Sequence, residues 1–367
     1  MKKRLAIWIP GGIGNGNFSQ GYPMLEKLVN RLSEEFEIFV YSQVPPNIDY
    51  RTHQFALKYP SRSIKSGKIR WLILLYFFFR ENRKQKFNLV QAFWGYPSGF
   101  IVTILGKLLH IPSIINVMGA DAASIESIDY GIFHRRIPRL ICSWTYRHTS
   151  ALVCISEFQK KTLEAFGIYR DLRVIPWGVD SSVYAFSVRS AGKILRVIHV
   201  GHINPVKDQM TLLKAFALIR KKIPTTMKWF GLDCMQGSMQ KFSSELGIDR
   251  DIEFMNMVPY LDMPQYYQEA DIMLHTSLSE GQCMALTEAA ATGVLMAGTN
   301  VGLLWDLGEQ CGITVKTGDY ESLAIQVLDL VARPAEWKIR TERARAWSQN
   351  HTFDWTVREL TTVLREI

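Results

Sequence analysis

Glu280 and Glu288 are acidic residues whose spacing and surroundings suit a ligand that carries both phosphate and hydroxyl groups. The apolar segment Ala270–His275 precedes them and predicts a buried strand. The small and polar segment Ser277–Cys283 predicts a turn that opens a helix, and the alanine-rich stretch after it predicts the helix itself. The pattern therefore places Glu280 on a loop above a strand and Glu288 on the first turns of a helix.

The start of this predicted helix has the properties of an anion site. The backbone N–H groups of Gln282, Cys283 and Met284 would point outward between the two glutamates. A helix N-terminus attracts anions, and phosphate above all. Two acceptors on either side of a phosphate cradle suit a nucleotide sugar, which has hydroxyls on both sides of its diphosphate. The alternative interpretation is a solvated helix with two surface acids.

Six segments occur in an order that matches one protein family. They are Ile115–Asp121, Ile155–Glu157, Val174–Asp180, Val200–Asp208, Ser279–Gly293 and His351–Trp355. Together they resemble the signature of glycosyltransferase family 4, whose members are retaining sugar transferases with an E-x7-E motif. The resemblance implies an α/β chain with the GT-B fold, in which two Rossmann-like doubly wound domains face a central cleft.

The resemblance also implies roles for individual residues. Val200–Asp208 is similar to the family's Gly-Arg…Lys segment, so Lys207 is expected to neutralise the diphosphate leaving group. His202 stands where the family has arginine and offers one donor instead of a fork. Glu288 is expected to bind the ribose hydroxyls and Glu280 the transferred sugar. The predicted donor site comprises Gly12, Gly14, His202, Lys207, Glu280, Gly281, Gln282, Cys283, Met284 and Glu288.

Asp121 joins Glu280 and Lys207 as a candidate catalytic residue. Its segment looks like the family's His-Gly-x-Asp loop, but Met118 replaces the histidine and removes a polar contact. A helix cap is an equal alternative for Asp121. The resemblance implies front-face attack by the acceptor, with neither glutamate as nucleophile, and it implies no metal or other cofactor. The eight histidines are dispersed, without metal-ligand spacing.

The glycine-rich segment Gly11–Gly16 follows a predicted first strand, Leu5–Ile9. Glycines in this position allow the backbone to approach a sugar or acceptor closely, and ligands of such sheets bind beyond the carboxyl ends of the strands. The alternative is a dinucleotide fingerprint, but the spacing is not G-x-G-x-x-G and no suitable acid ends a second strand.

Apolar segments alternate with helical spacing in both halves of the chain, which predicts two parallel sheets covered by helices. The predicted strands are Leu5–Ile9, Ile38–Tyr41, Leu89–Phe93, Ser113–Val117, Ala151–Ile155, Leu195–Val200, Thr226–Phe230, Ile252–Phe254 and Ile272–His275. We predict an acceptor-binding domain over 1–187, a nucleotide-sugar-binding domain over 188–335, and helices over 336–367 that pack back on the first domain. The polar segment Asp180–Lys193 is the predicted linker.

The positive charge of the chain belongs to its first half. Residues 1–187 hold 24 lysines and arginines against 13 acids, whereas the remainder holds 19 against 21. This bias predicts an anionic partner for the first domain, and nucleic acid is disfavoured because no recognised binding motif accompanies the charge. The five cysteines contain no C-x-x-C pair, which predicts reduced thiols in a cytoplasmic protein.

Residues 62–86 combine nine consecutive apolar residues with flanking cations. This composition is typical of a helix that lies on an anionic membrane surface. The predicted membrane contacts are Arg70, Trp71, Phe77, Phe78, Arg80, Arg83 and Lys84. The alternative is a buried helix with basic ends.

We therefore expect a cytoplasmic glycosyltransferase, peripheral on the inner face of the membrane. It would move a hexose from a UDP- or GDP-sugar to a glycan or lipid-linked glycan of cell-surface polysaccharide or lipopolysaccharide. One alternative is a nucleotide-sugar epimerase, which needs acid and base groups around the sugar and no acceptor. Another is a catalytically silent nucleotide-sugar-binding protein, suggested by His202 and Met118.

Overall fold

The computed structural model describes residues 2–14, 23–188 and 192–367. Its contacts divide the chain into two compact units. The first unit comprises Met1–Ile155, Lys160–Ile175 and Val357–Ile367, and the second comprises Ser156–Gln159 and Pro176–Thr356. The second unit thus begins earlier in the chain than the boundary predicted after residue 187, and the last eleven residues, 357–367, group with the first unit.

The first unit is built on a parallel sheet of seven strands among the described residues, in the order β3-β2-β1-β4-β5-β6-β7. The strands are β1 Arg4–Gly12, β2 Glu37–Val44, β3 Ala56–Lys58, β4 Leu89–Phe93, β5 Ser113–Asn116, β6 Ala151–Cys154 and β7 Arg173–Val174. The central strands are buried on both faces, as expected of near-continuous apolar runs in a parallel sheet.

Five helices connect or flank these strands. They are α1 Pro23–Leu32, α2 Gly67–Lys84, α3 Phe100–Leu109, α4 Arg136–His148 and α5 Glu157–Ala165. The chain's last residues also pack within the first unit, where Arg365 pairs with Glu35 and Arg173 pairs with Glu366. None of the helices that the structure describes is both long enough and apolar enough to cross a membrane.

The second unit repeats the architecture with a parallel sheet of six described strands, in the order β10-β9-β8-β11-β12-β13. The strands are β8 Leu195–Val200, β9 Thr225–Phe230, β10 Ile252–Phe254, β11 Ile272–His275, β12 Leu295–Thr299 and β13 Gly312–Val315. Its helices are α6 Gln209–Arg220, α7 Ser238–Glu245, α8 Met263–Glu269, α9 Met284–Thr292, α10 Leu303–Leu307, α11 Tyr320–Val331 and α12 Pro334–Asn350. The last helix, α13 Phe353–Glu366, starts in the second unit, and its residues from Val357 onward group with the first. The prediction of two parallel sheets covered by helices is confirmed.

The segment predicted as a linker is partly core. Within Asp180–Lys193, the ring of Tyr184 is only 1% exposed and lies 6.0 Å from the ring of Tyr267. Three of its residues, 189–191, lie outside the described part of the chain. Polar composition alone therefore misjudged this segment, because one large aromatic residue is enough to anchor it.

Helix α2 contradicts part of the predicted membrane contact. Phe78 is fully buried beneath the helix, and Trp71 and Phe77 pack partly buried against the same core. The four cations Arg70, Arg80, Arg83 and Lys84 lie along the same helix, and Arg70 donates to the carbonyl of Ile64 at 2.8 Å. Full burial excludes Phe78 as a membrane contact, whereas Trp71 and Phe77 keep part of their surface exposed, so their predicted contacts stay predictions. The solvent-facing apolar residues of α2 are different ones.

Candidate functional site

The turns that follow strands β8 and β11 meet at one edge of the second sheet. These strands are hydrogen-bonded neighbours, so their carboxyl ends lie side by side. The hydroxyl of Thr276 donates to the carbonyl of Asp208 at 2.9 Å, and the N–H of Leu278 donates to the carbonyl of Val206 at 2.8 Å. These bonds fix the two turns to one another and bring together residues that are far apart in the sequence.

Lys207 ends a single helical turn, Pro205–Lys207. Asn204 caps this turn by accepting a hydrogen bond from the Lys207 N–H at 3.3 Å, as a polar N-cap residue does. The Lys207 ammonium then reaches the Oε1 atom of Glu280 at 2.5 Å. The predicted diphosphate-binding and sugar-binding residues thus form one ion pair.

Glu280 concentrates its contacts on one carboxylate oxygen. Oε1 accepts from Lys207, from Ser277 at 2.6 Å and from His275 at 2.9 Å. Oε2 has no hydrogen-bond partner among the described residues, and the side chain is 13% exposed. Burial by itself raises the pKa of Glu280, but the charge of Lys207 and the His275 hydrogen bond outweigh it, so the pKa lies far below its usual value.

His275 is a buried member of the site that the sequence did not single out. Its Nε2 atom contacts Glu280 and Ser277, and its Nδ1 atom lies 3.9 Å from the Cys283 sulfur. Burial lowers the pKa of the imidazole, whereas Cys283 and Glu280 raise it, and the resulting pKa is about 9. At neutral pH His275 therefore donates to Glu280 and keeps its carboxylate in place.

His199 is a second buried histidine, and its ring lies next to that of His275. The rings of His199 and His275 are 6.0 Å apart, and His199 shares a contact with the amide of Gln209. Burial lowers the pKa of His199 to about 3, with a further contribution from His275. His199 is consequently neutral, and it packs beneath the site without adding charge to it.

The predicted helix start is confirmed at α9, which begins at Met284 after Cys283 adopts a φ of 78°. The backbone N–H groups of Gln282, Cys283 and Met284 have no hydrogen-bond partner in the described part of the chain. Next to them, the carbonyl of Gly281 accepts from the hydroxyl of Ser156. Three unpaired N–H groups at a helix start form a positive site for an anion.

The side chain of Gln282 has a structural task that is separate from the contact predicted for its backbone N–H. Its amide oxygen accepts from the Trp177 N–H at 2.8 Å, and its amide nitrogen donates to the Trp177 carbonyl and the Thr287 hydroxyl. Only the backbone N–H of Gln282 remains for a ligand.

Glu288 lies one turn into α9 and is almost buried. The hydroxyl of Tyr267 donates to its Oε2 atom at 2.7 Å. Burial raises the pKa of Glu288 to about 7, although the Tyr267 hydroxyl acts in the opposite direction. This carboxyl group therefore changes charge near neutral pH, unlike Glu280.

His202 keeps one ring nitrogen available on the exposed side of its turn. Its Nδ1 atom accepts from the Leu232 N–H at 3.0 Å, so the proton of the neutral ring is on Nε2. Burial, and then the charge of Lys207, lower the pKa of His202. His202 is thus a neutral donor at a position next to Lys207 in the same turn.

Gly302, in the turn after β12, lies against the backbone of Gln282 and the side chain of Glu280. It has a φ of 55°, and a Cβ atom there would lie 2.7 Å from the Gln282 carbonyl oxygen and 2.8 Å from the Glu280 Cβ. Only glycine fits this conformation and this close contact. The sequence shows a glycine here but gives no sign that it lies against Glu280.

Asp121 belongs to the first unit and is 2% exposed. Its carboxylate accepts from the N–H groups of Gly95 at 2.8 Å, Gly119 at 2.8 Å and Met118 at 3.1 Å, and from the Tyr146 hydroxyl at 3.1 Å. Burial raises its pKa, and the backbone donors oppose that shift. Both oxygens are committed, so the geometry favours a loop-holding role over the predicted direct catalytic one, and Asp121 is not the cap of a following helix.

The glycines predicted to approach a ligand lie in the first unit. Gly12 ends β1 within the sheet. Gly14 has a φ of 69°, and a Cβ atom there would lie 2.3 Å from the ring of Tyr50. Gly14 is therefore needed for packing against Tyr50, while Asn15 and Gly16 lie outside the described residues.

His275, Glu280 and Cys283 place three possible metal-ligand atoms within 4.8 Å of one another. The ammonium of Lys207 already lies against the Glu280 oxygen, and the His275 imidazole points one nitrogen at each of the other two side chains. A single metal ion can use only one of these ring nitrogens. The arrangement fits a charge-paired carboxylate better than a metal centre.

The fold and the family models together place this chain among GT-B glycosyltransferases. Two family models match it: "Glycosyltransferase Family 4" over residues 24–183 and "Glycosyl transferases group 1" over residues 195–333. The chain belongs to the family 4 type of glycosyltransferases.

Curated relatives agree with this assignment. An uncharacterized glycosyltransferase of Methanocaldococcus jannaschii is 21% identical over 94% of this chain and 93% of its own length. A GDP-mannose-dependent alpha-(1-6)-phosphatidylinositol monomannoside mannosyltransferase of Mycolicibacterium smegmatis is 24% identical, over 53% of this chain and 56% of its own length. The match to the mannosyltransferase thus spans little more than half of either protein.

Solved structures share the fold at low sequence identity. Sucrose-phosphate synthase from Thermosynechococcus elongatus has a TM-score of 0.82 at 15% identity and covers 99% of both chains. HepE from Anabaena, solved with UDP and glucose, has a TM-score of 0.76 at 14% identity, over 99% of this chain and 100% of its own. WaaG, a glycosyltransferase involved in lipopolysaccharide biosynthesis, has a TM-score of 0.69 at 14% identity, over 98% and 99%.

Proposed function

We propose that this glycosyltransferase moves a sugar, with retention of anomeric configuration and without a metal ion, from a nucleoside-diphosphate sugar to a glycan or lipid-linked glycan. The observation that carries the proposal is the ion pair between Lys207 and Glu280 beside the unpaired N–H groups that open α9. It combines a cation, a sugar-hydroxyl acceptor and a phosphate cradle within one pair of fixed turns.

The diphosphate binds at the start of α9 in this proposal. The backbone N–H groups of Gln282, Cys283 and Met284 donate to phosphate oxygens. The Nε2–H of His202 adds a neutral donor. The Lys207 ammonium stabilises the negative charge that develops on the leaving diphosphate, which is the role that a divalent cation fills in other transferases.

The two glutamates bind the two sugar moieties of the donor. Glu280 offers Oε2 to hydroxyls of the transferred sugar, since its Oε1 is held by Lys207, Ser277 and His275. Glu288 accepts from the ribose hydroxyls in its ionised form. Because the pKa of Glu288 is about 7, donor binding is expected to strengthen as the pH rises through neutrality.

Retention follows from front-face substitution in this proposal. The pKa of Glu280 is far below neutrality, which makes it a poor base, and the charges of Lys207 and His275 beside its carboxylate make it a weak nucleophile. The bond between the sugar C1 and the phosphate oxygen breaks, and its electron pair goes to the phosphate. The acceptor oxygen forms the new bond on the same face, and its proton passes to the departing phosphate oxygen.

The donor is a UDP- or GDP-sugar, and the acceptor belongs to cell-surface polysaccharide or lipopolysaccharide. Similarity to the GDP-mannose-dependent mannosyltransferase, to HepE solved with UDP and to WaaG supports these classes. We place the protein in the cytoplasm, peripheral on the inner face of the membrane, because the first half of the chain carries its cationic excess.

The test is mass spectrometry of the purified protein mixed with UDP- and GDP-sugars in the presence of a chelator, with and without cell-envelope lipid extract. We expect one donor to yield a sugar-extended acceptor and free nucleoside diphosphate. A changed sugar nucleotide without acceptor would indicate an epimerase instead. Nucleotide binding with no turnover of any donor would indicate a silent binding protein, and either result would reject the transfer proposal.

A further inference from the structure

Helices α2, α3 and α4 form one layer on one face of the first sheet. In-register partners on parallel strands point to the same side of a sheet, and Trp8, Ala92, Ile115 and Leu152 are partners across β1, β4, β5 and β6. Trp8 and Ala92 pack in one core cluster with residues of α2 and α3, and Ile115 and Leu152 pack in another with residues of α4. The three helices therefore cover the same face, as right-handed crossovers require.

The outer side of this layer is apolar at many points. On α2 the residues Ile69, Leu72, Tyr76 and Phe79 recur at helical spacing and are 50%, 65%, 61% and 38% exposed. Leu108 on α3 is 69% exposed. On α4, Ile137 and Leu140 are 72% and 70% exposed. We call these seven residues the outer apolar set.

The helices that carry the outer apolar set are rich in lysine and arginine and contain almost no acidic residues. The three helices contain nine lysines and arginines and one acid, Glu81. Glu81 is buried and pairs with Lys58, Arg80 and Lys84, so it offsets one positive charge and leaves the three helices strongly cationic. The next helix on this face, α5, carries two lysines and two glutamates instead. The bias is therefore specific to α2, α3 and α4.

We propose that the outer side of α2, α3 and α4 is a single docking surface for an anionic lipid bilayer, with Ile137 and Leu140 as anchors in addition to those of α2. Apolar side chains enter the headgroup boundary while the cations contact anionic lipid phosphates. This inference deepens the proposed peripheral location and rests on it, and it names α4 as well as α2.

A second copy of the chain is the less favoured occupant. A two-fold interface brings the same patch of both copies together. It would place the cations of α2, α3 and α4 against one another, with Glu81, already paired within its own copy, as the one acid of these helices. An anionic membrane removes that repulsion, and its plane matches three helices that lie on one face of the sheet.

The experiment is co-sedimentation with phosphatidylcholine vesicles that contain or lack phosphatidylglycerol. The variant Ile137→Ser/Leu140→Ser leaves the residues of the nucleotide site untouched. Its matched control is Leu261→Ser/Ile325→Ser, because these residues of the second unit are similarly exposed, at 74% and 66%. A charge variant, Arg136→Gln/Arg139→Gln, tests the electrostatic part.

We expect binding only to the vesicles with phosphatidylglycerol, and weaker binding at high salt. The α4 apolar variant should lower the partition coefficient about tenfold or more, since each buried aliphatic side chain contributes substantially. The charge variant should lower it about tenfold as well, at roughly a fewfold per arginine. The control should bind as the native protein does.

Equal binding of the α4 variants and the control would overturn the proposal, as would binding that ignores phosphatidylglycerol. A dimer seen by light scattering that the α4 variant dissociates would assign the surface to a second copy instead. Nucleotide binding without vesicles, and transfer to a soluble acceptor, are measured in parallel. If these persist while vesicle binding is absent, the surface proposal fails and the transfer proposal stands.

Discussion

Each unit holds a largely buried carboxylate beyond the carboxyl ends of its parallel strands, and the two have different hydrogen-bond partners. Asp121 of the first unit engages both oxygens, with three backbone N–H groups and a tyrosine hydroxyl. Glu280 of the second unit engages Oε1 alone, with two cationic side chains and a hydroxyl. The first arrangement fixes a loop, whereas the second leaves an ionised oxygen for a ligand. The position of a carboxylate at the end of a strand therefore does not define its role; its hydrogen-bond partners do.

Removal of the Lys207 ammonium should have the largest effect on the site in the second unit. We expect Lys207→Ala to lower the rate of sugar transfer about 10²–10³-fold, because the charge on the leaving diphosphate loses its neutralising group. The fold should persist, since Glu280 keeps its bonds to His275 and Ser277. Steady-state kinetics measure the loss, and Lys222→Ala, an exposed lysine of the same unit, is the control. Full activity in Lys207→Ala would refute its role.

Neutralising Glu280 should have the next largest effect. Glu280→Gln keeps the shape of the side chain but loses the charge, so a sugar-hydroxyl hydrogen bond that contributes about 1.5–3 kcal/mol to a charged acceptor becomes a weaker neutral one. We expect kcat/KM for transfer to fall about 10–100-fold, with nucleoside diphosphate affinity nearly unchanged. Calorimetry with the bare nucleotide separates the two parameters. An equal loss of nucleotide affinity would place Glu280 on the nucleotide and not on the sugar.

The matched change in the first unit should affect stability instead of chemistry. In the native protein, backbone N–H groups donate to the Asp121 carboxylate. In Asp121→Asn, the side-chain amide N–H would face these same donors. We expect a loss of about 2–3 kcal/mol in the free energy of unfolding and a fall of roughly 5–10 °C in Tm. Nucleotide affinity should stay at the native level in the folded variant. A native Tm with lost transfer would break the comparison and restore a direct catalytic role for Asp121.

The raised pKa of Glu288 predicts a pH dependence of stability that the low pKa of Glu280 does not. Its folded pKa of about 7 lies above the ordinary value of 4.5, so the folded protein binds this proton more tightly than the unfolded chain does. Stability from this group is therefore present at low pH and is lost as the pH rises from about 4.5 to about 7.

Glu288→Gln should remove that loss. We expect the variant to be more stable than the native protein near pH 8, by up to about 3 kcal/mol, and similar to it near pH 4. Its affinity for nucleoside diphosphate near pH 8 should nevertheless fall about tenfold. Thermal unfolding and calorimetry over a pH series measure both effects. A variant with native affinity would contradict the ribose contact of Glu288.

The sequence predicts best what depends on neighbouring residues in the chain. Apolar runs such as Leu5–Ile9 predicted the buried strands, and the change of pattern at Met284 predicted the start of α9. The E-x7-E spacing predicted a loop position for Glu280 and a helical one for Glu288. These features are local, so no knowledge of the tertiary structure was needed.

The parts that escaped prediction depend on tertiary neighbours. His275 lies in a strand that reads simply as apolar, and only the folded turn shows its bond to Glu280. Tyr267 reaches Glu288 from a different helix, at a sequence distance without a recognisable signal. Helix α2 is apolar around its whole circumference, so its pattern could not distinguish buried Phe78 from exposed Phe79.

The central claim, that the turns after β8 and β11 and the start of α9 bind a nucleoside diphosphate, is tested most directly by calorimetric titration of UDP, GDP and ADP in the presence of a chelator. We predict one-to-one binding of one of these nucleotides to the native protein. Binding should weaken in Lys207→Ala and Glu288→Gln and remain native in folded Asp121→Asn. Absence of binding to all three, or affinities that the second-unit variants leave unchanged, would contradict the account.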